Sequence, residues 1–150
     1  MSLLEELHEV GRPRPTGAIP LGLLAQPERT AKVYVPALAG PRWLGEVVVR
    51  LERLRPGRCE EAVSEQVLVE ALQELMRFLP ADATAPAVGP TGNGGVQFEW
   101  HRGGWDVEVE FHHGDAYAWM ENCNTGERWS GALSDRLDDL RATIRAISSH

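Results

Sequence analysis

A chain of 150 residues with 43% hydrophobic composition can bury about 68 to 70% of its unfolded surface, so one domain needing no metal or disulfide staple is expected. The formal net charge of −7 disfavours nucleic acid, whose affinity is built on counterions released around Lys and Arg, and suits a basic protein or a small cation. No run of eighteen apolar residues occurs and the start, Met1-Ser2-Leu3-Leu4-Glu5-Glu6, is acidic; neither a membrane span nor a secretory leader is expected, and the predicted compartment is the cytosol.

Leu3, Leu4, Leu7 and Val10 recur at helical spacing, and Gly11-Arg12-Pro13-Arg14-Pro15-Thr16-Gly17 cannot continue that helix. The two Pro repeats favour polyproline II, a conformation suited to another protein's groove or equally to a plain tail. Ile19, Leu21, Leu23 and Leu24 follow without a clean period, and either this domain or a second chain must cover them. Residues 1–27 are therefore expected as an N-terminal helix and extended arm, and 28–150 as a single domain. Arg12, Arg14, Arg29, Arg42, Arg50, Arg53, Arg55 and Arg58 crowd the first sixty residues, as an anionic-surface contact or a solvated face.

Lys32 to Leu38 reads as a short strand that Pro36 confines to a sheet edge. Trp43, Leu44, Val47, Val48, Leu51 and Leu54 predict a helix, although Val47, Val49 and Leu51 would also alternate as a strand. Val67, Leu68, Ala71, Leu72, Leu75, Phe78 and Leu79 predict a second helix from about residue 60, stopped by Pro80. Residues 80–90, rich in Ala and Pro, read as a linker. Gly92-Asn93-Gly94-Gly95 lacks the Lys-Ser/Thr of a phosphate loop and leads into a strand, so a turn is expected.

From Val96 onward the pattern alternates. A two-residue loop at Gly103-Gly104 sets Trp100 opposite Val107, Phe98 opposite Val109 and Val96 opposite Phe111, a match that a one-residue slip would destroy. His112-His113-Gly114 predicts a three-residue loop with Gly114 left-handed, placing Tyr117 and Trp119 beside Val109 and Val107; a two-residue turn at Gly114-Asp115 would swap them outward. A strand at about Glu127 to Leu133 follows. Ser134 is then expected to cap a final helix bearing Leu137, Leu140, Ile144 and Ile147 on its buried stripe. The fold class is α+β: an antiparallel sheet of about four strands in the C-terminal half, packed with two or three helices. Most of the five tryptophans (Trp43, Trp100, Trp105, Trp119 and Trp129) are expected in the core.

The same register aligns Gln97, Glu99, His101, Asp106, Glu108 and Glu110, with His112, on the opposite face. Glu99 faces Glu108, and directly opposed like charges destabilise a strand pair. A metal site is one reading, but a flat face makes ligands diverge and no H-x-H or H-E-x-x-H spacing occurs. Acid/base catalysis with His101 or His113 as proton carrier is a second, and needs a cleft that shifts pKa values. An acidic surface, solvated or docked on a basic partner, is the third and the preferred one. Cys59 and Cys123 form no C-x-x-C pair and are expected as isolated packing residues. No cofactor is expected.

Pro86-Ala87-Val88-Gly89-Pro90, followed by Gly94-Gly95-Val96-Gln97-Phe98-Glu99-Trp100, resembles a loosely defined group of uncharacterised small bacterial proteins that share a proline-x-x-x-proline segment and a Gly-Gly-Val strand ending in Trp. The resemblance spans roughly residues 66–121, and where members carry Trp-Asp-Gly before the helix this chain has Arg58-Cys59-Glu60. It implies an accessory or antitoxin-like partner and not an enzyme. The expected function is thus a protein-binding module, antitoxin- or immunity-like, using Leu4, Leu7, Arg12, Arg14, Ile19, Leu21 and Leu24 of the arm with Glu99, His101, Glu108 and Glu110 of the sheet. The alternatives are a small enzyme or ligand binder on the Glu99, His101, Asp106 and Glu108 face, and a homo-oligomeric structural protein.

Overall fold

In the computed structural model the described residues are 40–149. The expected helix at residues 3–10, the Arg-Pro arm, the apolar stretch to Leu24 and the strand at 32–38 lie outside them. Helix α1 (Leu44–Glu52) forms where Val47, Val48 and Leu51 recur at helical spacing. The competing strand reading fails on Val49, which is 55% exposed while Val47 and Leu51 are fully buried. Trp43 precedes the helix with its ring buried and its indole N–H donating to the Pro80 carbonyl at 2.9 Å.

Helix α2 (Glu65–Phe78) begins later than about residue 60, because Ser64 is extended and its hydroxyl accepts the Val67 N–H at 3.3 Å. Val67, Leu68, Ala71, Leu72, Leu75 and Phe78 make its buried stripe. Its C-terminal carbonyls are held from far along the chain: Arg141 donates to the carbonyls of Arg77 at 2.9 Å and Phe78 at 3.2 Å.

Five strands, one more than the expected four, form an antiparallel meander in the order β1 (Ala87–Pro90), β2 (Val96–Arg102), β3 (Trp105–His112), β4 (Asp115–Asn122), β5 (Arg128–Ala132). The extra strand is β1, inside the segment read as a linker. Its Pro90, lacking an N–H, is compatible with a sheet only at an edge, which is where β1 lies. The turn before β2 is as expected: Thr91 N–H donates to Gly95 C=O at 3.0 Å and Gly95 N–H to the Thr91 hydroxyl at 2.8 Å. Gly95 could not carry a side chain, since a Cβ there would lie 2.4 Å from both the His112 ring and the Phe111 carbonyl oxygen.

The Gly103-Gly104 hairpin pairs Val96 with Phe111, Phe98 with Val109 and Trp100 with Val107, as alternation predicts. The next hairpin differs. His113 (φ 34°) joins Gly114 (φ 88°) in the left-handed region, so the loop has two residues and not three, and His112 pairs with Asp115. One residue of slip turns β4 over: Ala116, Ala118 and Met120 face the helices, whereas Tyr117 and Trp119 stand beside Glu110 and Glu108 on the opposite face.

After β5 a 3-10 turn (Leu133–Asp135) buries Leu133, and helix α3 (Leu137–Ser148) follows. Ser134 lies within that turn and caps nothing; no side chain caps α3. Leu140, Thr143, Ile144 and Ile147 are buried and Leu137 partly so. All three helices contribute to one apolar core with Val96, Phe98, Trp100, Val107, Val109, Phe111, Ala118 and Met120 of the sheet. Trp100 is anchored by an indole N–H bond to the Thr84 carbonyl at 2.8 Å, and Trp105 and Trp129 pack on the core half-buried.

Candidate functional site

Among the described residues helices pack on one side of the sheet only, and its second face is a mixed acidic and aromatic surface. Gln97, Glu99 and His101 come from β2, Asp106, Glu108, Glu110 and His112 from β3, Tyr117, Trp119 and Glu121 from β4, and Ser130 from β5. Their common orientation follows from alternation, since every second residue of each strand is committed to the core.

At the hairpin end, His101 bridges two carboxylates: its Nδ1 lies 2.7 Å from Asp106 Oδ1 and its Nε2 3.3 Å from Glu99 Oε2. The second oxygen of Glu99 accepts from Gln97 at 2.7 Å. Hydrogen bonding to Asp106 and then to Glu99 raises the His101 pKa above 6.5, against a smaller desolvation effect. This bridge bears on how the sheet tolerates Glu99 opposite Glu108: the His101 ring, when protonated, supplies compensating charge beside Glu99. Glu108 itself has a raised pKa, chiefly from desolvation and then from the charges of Glu110 and Glu99, with Gln97 and His101 acting in the opposite sense. Trp119 stands directly across from Glu108. Farther along, His112 Nε2 lies 3.8 Å from Glu110 Oε2.

The predicted residues Glu99, His101, Glu108 and Glu110 therefore share one face, as expected, and Leu4, Leu7, Arg12, Arg14, Ile19, Leu21 and Leu24 lie outside the described residues. Sequence reasoning missed Tyr117, which is 50% exposed, and Trp119, because it assigned both to the core. The available signal was the His-Gly pair at 113–114, a good two-residue turn once His is allowed a positive φ. Among the described residues no group of three His, Cys, Asp or Glu side chains converges as metal ligands, and no helix there is long and apolar enough to cross a membrane. Of the two free cysteines, Cys59 packs partly on the core, but Cys123 is exposed in the β4–β5 turn, contrary to expectation. Desolvation, and then the Asp106 carboxylate, raise its thiol pKa.

A separate concavity of about 310 Å³ lies on the helix side of the sheet at its β5 end, lined by Trp105, Met120, Trp129, Arg136, Asp139 and Thr143, with Glu127 and Arg128 at the margin. The Arg136 guanidinium stands 5.6 Å from the centre of the Trp129 ring and 3.0 Å from Asp139 Oδ2.

Comparison with protein-family models, with curated proteins and with solved structures gave no match to this chain.

Proposed function

We propose that the protein is a non-enzymatic binding module that receives a basic protein surface on the open face of its sheet. The observation that carries this reading is the placement of Tyr117 and Trp119 among Glu99, Glu108, Glu110 and Glu121 on the face that α1, α2 and α3 leave uncovered. Aromatic rings flanked by carboxylates suit a Lys or Arg side chain twice over. The ring face attracts the cation, worth about 0.5 to 1 kcal/mol at an exposed site, and the carboxylates steer and orient it. A chain of net charge −7 adds long-range attraction for a basic partner. Neutralisation of such a partner, as by an antitoxin or immunity protein, is the biological role that fits, with the N-terminal arm as a second contact.

The test is affinity capture from the producing cell, followed by calorimetry with the captured protein. Trp119→Ser combined with Glu108→Gln and Glu110→Gln should weaken binding at least about tenfold, the scale of a lost interface hot spot, and added salt should weaken the parent complex. Full-strength binding by the triple variant would refute the face. Unchanged capture by a chain lacking residues 1–25 would refute the arm.

A further inference from the structure

The two edges of the sheet are unlike. At β1, Pro90 removes a backbone donor and the strand is only four residues long, which are devices that discourage pairing. At β5 the run Arg128-Trp129-Ser130-Gly131-Ala132 contains no proline, and the described strands end with it. Its hydrogen bonding can be assigned. Asn122 N–H donates to Glu127 C=O at 2.8 Å, and Cys123 N–H to Gly104 C=O at 2.8 Å. Bonded and non-bonded pairs alternate in an antiparallel ladder, so Met120–Trp129 and Ala118–Gly131 are the bonded pairs between β4 and β5. Arg128 and Ser130 therefore turn both N–H and C=O away from the sheet. Only another extended backbone, about 4.8 Å away, matches such a row of groups.

What lies beneath the edge narrows the chemistry of that backbone's side chains. Trp129, between the two outward-facing residues, points to the helix side, into the 310 Å³ groove. The groove is floored by Trp105 and Met120 and holds Thr143, which is only 8% exposed and forms no hydrogen bond with the described residues. A lining that mixes the Trp105, Trp129 and Met120 side chains with Arg136, Asp139 and the Thr143 hydroxyl suits an aromatic side chain with a polar tip, Tyr or Trp. On the other face Arg128 is exposed and forms no ion pair among the described residues.

We propose that β5 is a docking edge for an extended segment of another protein in which an acidic residue, set beside Arg128, neighbours a Tyr or Trp that enters the groove beside Trp129. Adjacent strand residues point to opposite faces, so the acid and the aromatic must be consecutive. This site is distinct from the carboxylate and ring cluster around Glu108 and Trp119: it uses the β5 edge, the groove on the helix side, and Arg128 at the margin of the open face, across from Glu121.

Selection of random displayed peptides of about twelve residues on the full-length protein tests the proposal. The expected enrichment is Asp or Glu adjacent to Tyr or Trp, with exchange protection of the Arg128 and Ser130 amides when an enriched peptide binds. Ser130→Pro removes an outward N–H that the β4–β5 ladder does not use, so affinity should fall about tenfold or more while the sheet persists. Arg128→Glu, at an exposed side chain, should weaken the acidic peptide and strengthen its Lys-substituted counterpart, a reversal that does not depend on the proline variant folding. Glu108→Gln should change neither, which separates this site from the acidic face. Failure to enrich any peptide, equal binding by Ser130→Pro and Arg128→Glu, or a Ser130 amide already protected in the free protein would each overturn it; the last would mean that this chain or a second copy already covers the edge.

Discussion

Replacing Glu108 by Gln should stabilise the protein at neutral and alkaline pH. Glu108 faces Glu99 across the β2–β3 ladder and lies two residues from Glu110 on the same strand face. Its native pKa is raised above the unfolded value of 4.5. The native state thus holds the Glu108 proton more tightly than the unfolded chain does. The stability this contributes is complete below pH 4.5 and is lost as pH rises through the native pKa. Gln keeps the shape and removes the charge, so it escapes that loss. Opposed like charges in a strand pair cost about 0.2 to 1 kcal/mol, and partial solvent screening places the gain near the middle, about 0.5 kcal/mol. For a chain of this length that is about 1 to 2 °C in Tm. Urea unfolding of parent and variant at pH 4 and pH 8, at low and high salt, measures it: the gain should appear at pH 8, shrink with salt and vanish at pH 4. A variant less stable than the parent at pH 8, or equally stabilised at both pH values, would show that shape and not charge governs this position.

His101 should titrate above 6.5 by NMR, and Asp106→Asn, which removes its main hydrogen-bond partner, should bring it back toward that value; because the native pKa is the raised one, the stability contributed by His101 is greatest below pH 6.5 and fades as pH climbs through the native pKa. Trp43→Phe leaves the Pro80 carbonyl without the buried indole donor and should cost about 1 to 3 kcal/mol in denaturant unfolding. Cys123 should react slowly with iodoacetamide at pH 7.5 for an exposed thiol, and Asp106→Asn should quicken it, since the aspartate is one of the influences that hold the thiol protonated.

Much of this molecule was legible because alternation and helical spacing are written in side chains that the core demands. Phe98, Trp100, Val107 and Val109 could be paired before any coordinate was known, since only one register buries all four. The helices at Val47 and Leu68 were readable for the same reason, their apolar residues being dense enough to define a stripe. Legibility failed where backbone conformation decided the matter. His113 takes a positive φ at a modest local cost, and that single residue settles the face of every side chain on β4. The alternating pattern of Ala116, Ala118 and Met120 against Tyr117 and Trp119 could not arbitrate, because both sets are apolar enough to bury. Strand β1 was hidden by Pro90 within it and Pro86 just before it, residues that mark a loop in most contexts and an edge here. The acidic part of the candidate site was consequently found, and its aromatic part was not.

The tie from Arg141 to the carbonyls of Arg77 and Phe78, joined by the Thr84 N–H donating to Ser148 Oγ at 2.9 Å, has a bearing on how the chain is made. The meander assembles from neighbours in sequence, whereas these bonds span more than sixty residues and must await the final helix. While the polypeptide is still being synthesised, the sheet can therefore form with an apolar gap left where Leu140, Ile144 and Ile147 will complete the core. Any shortening of the C-terminal dozen residues would leave that greasy interval permanent, and a product trimmed there should be met by chaperones and proteases instead of by its partner.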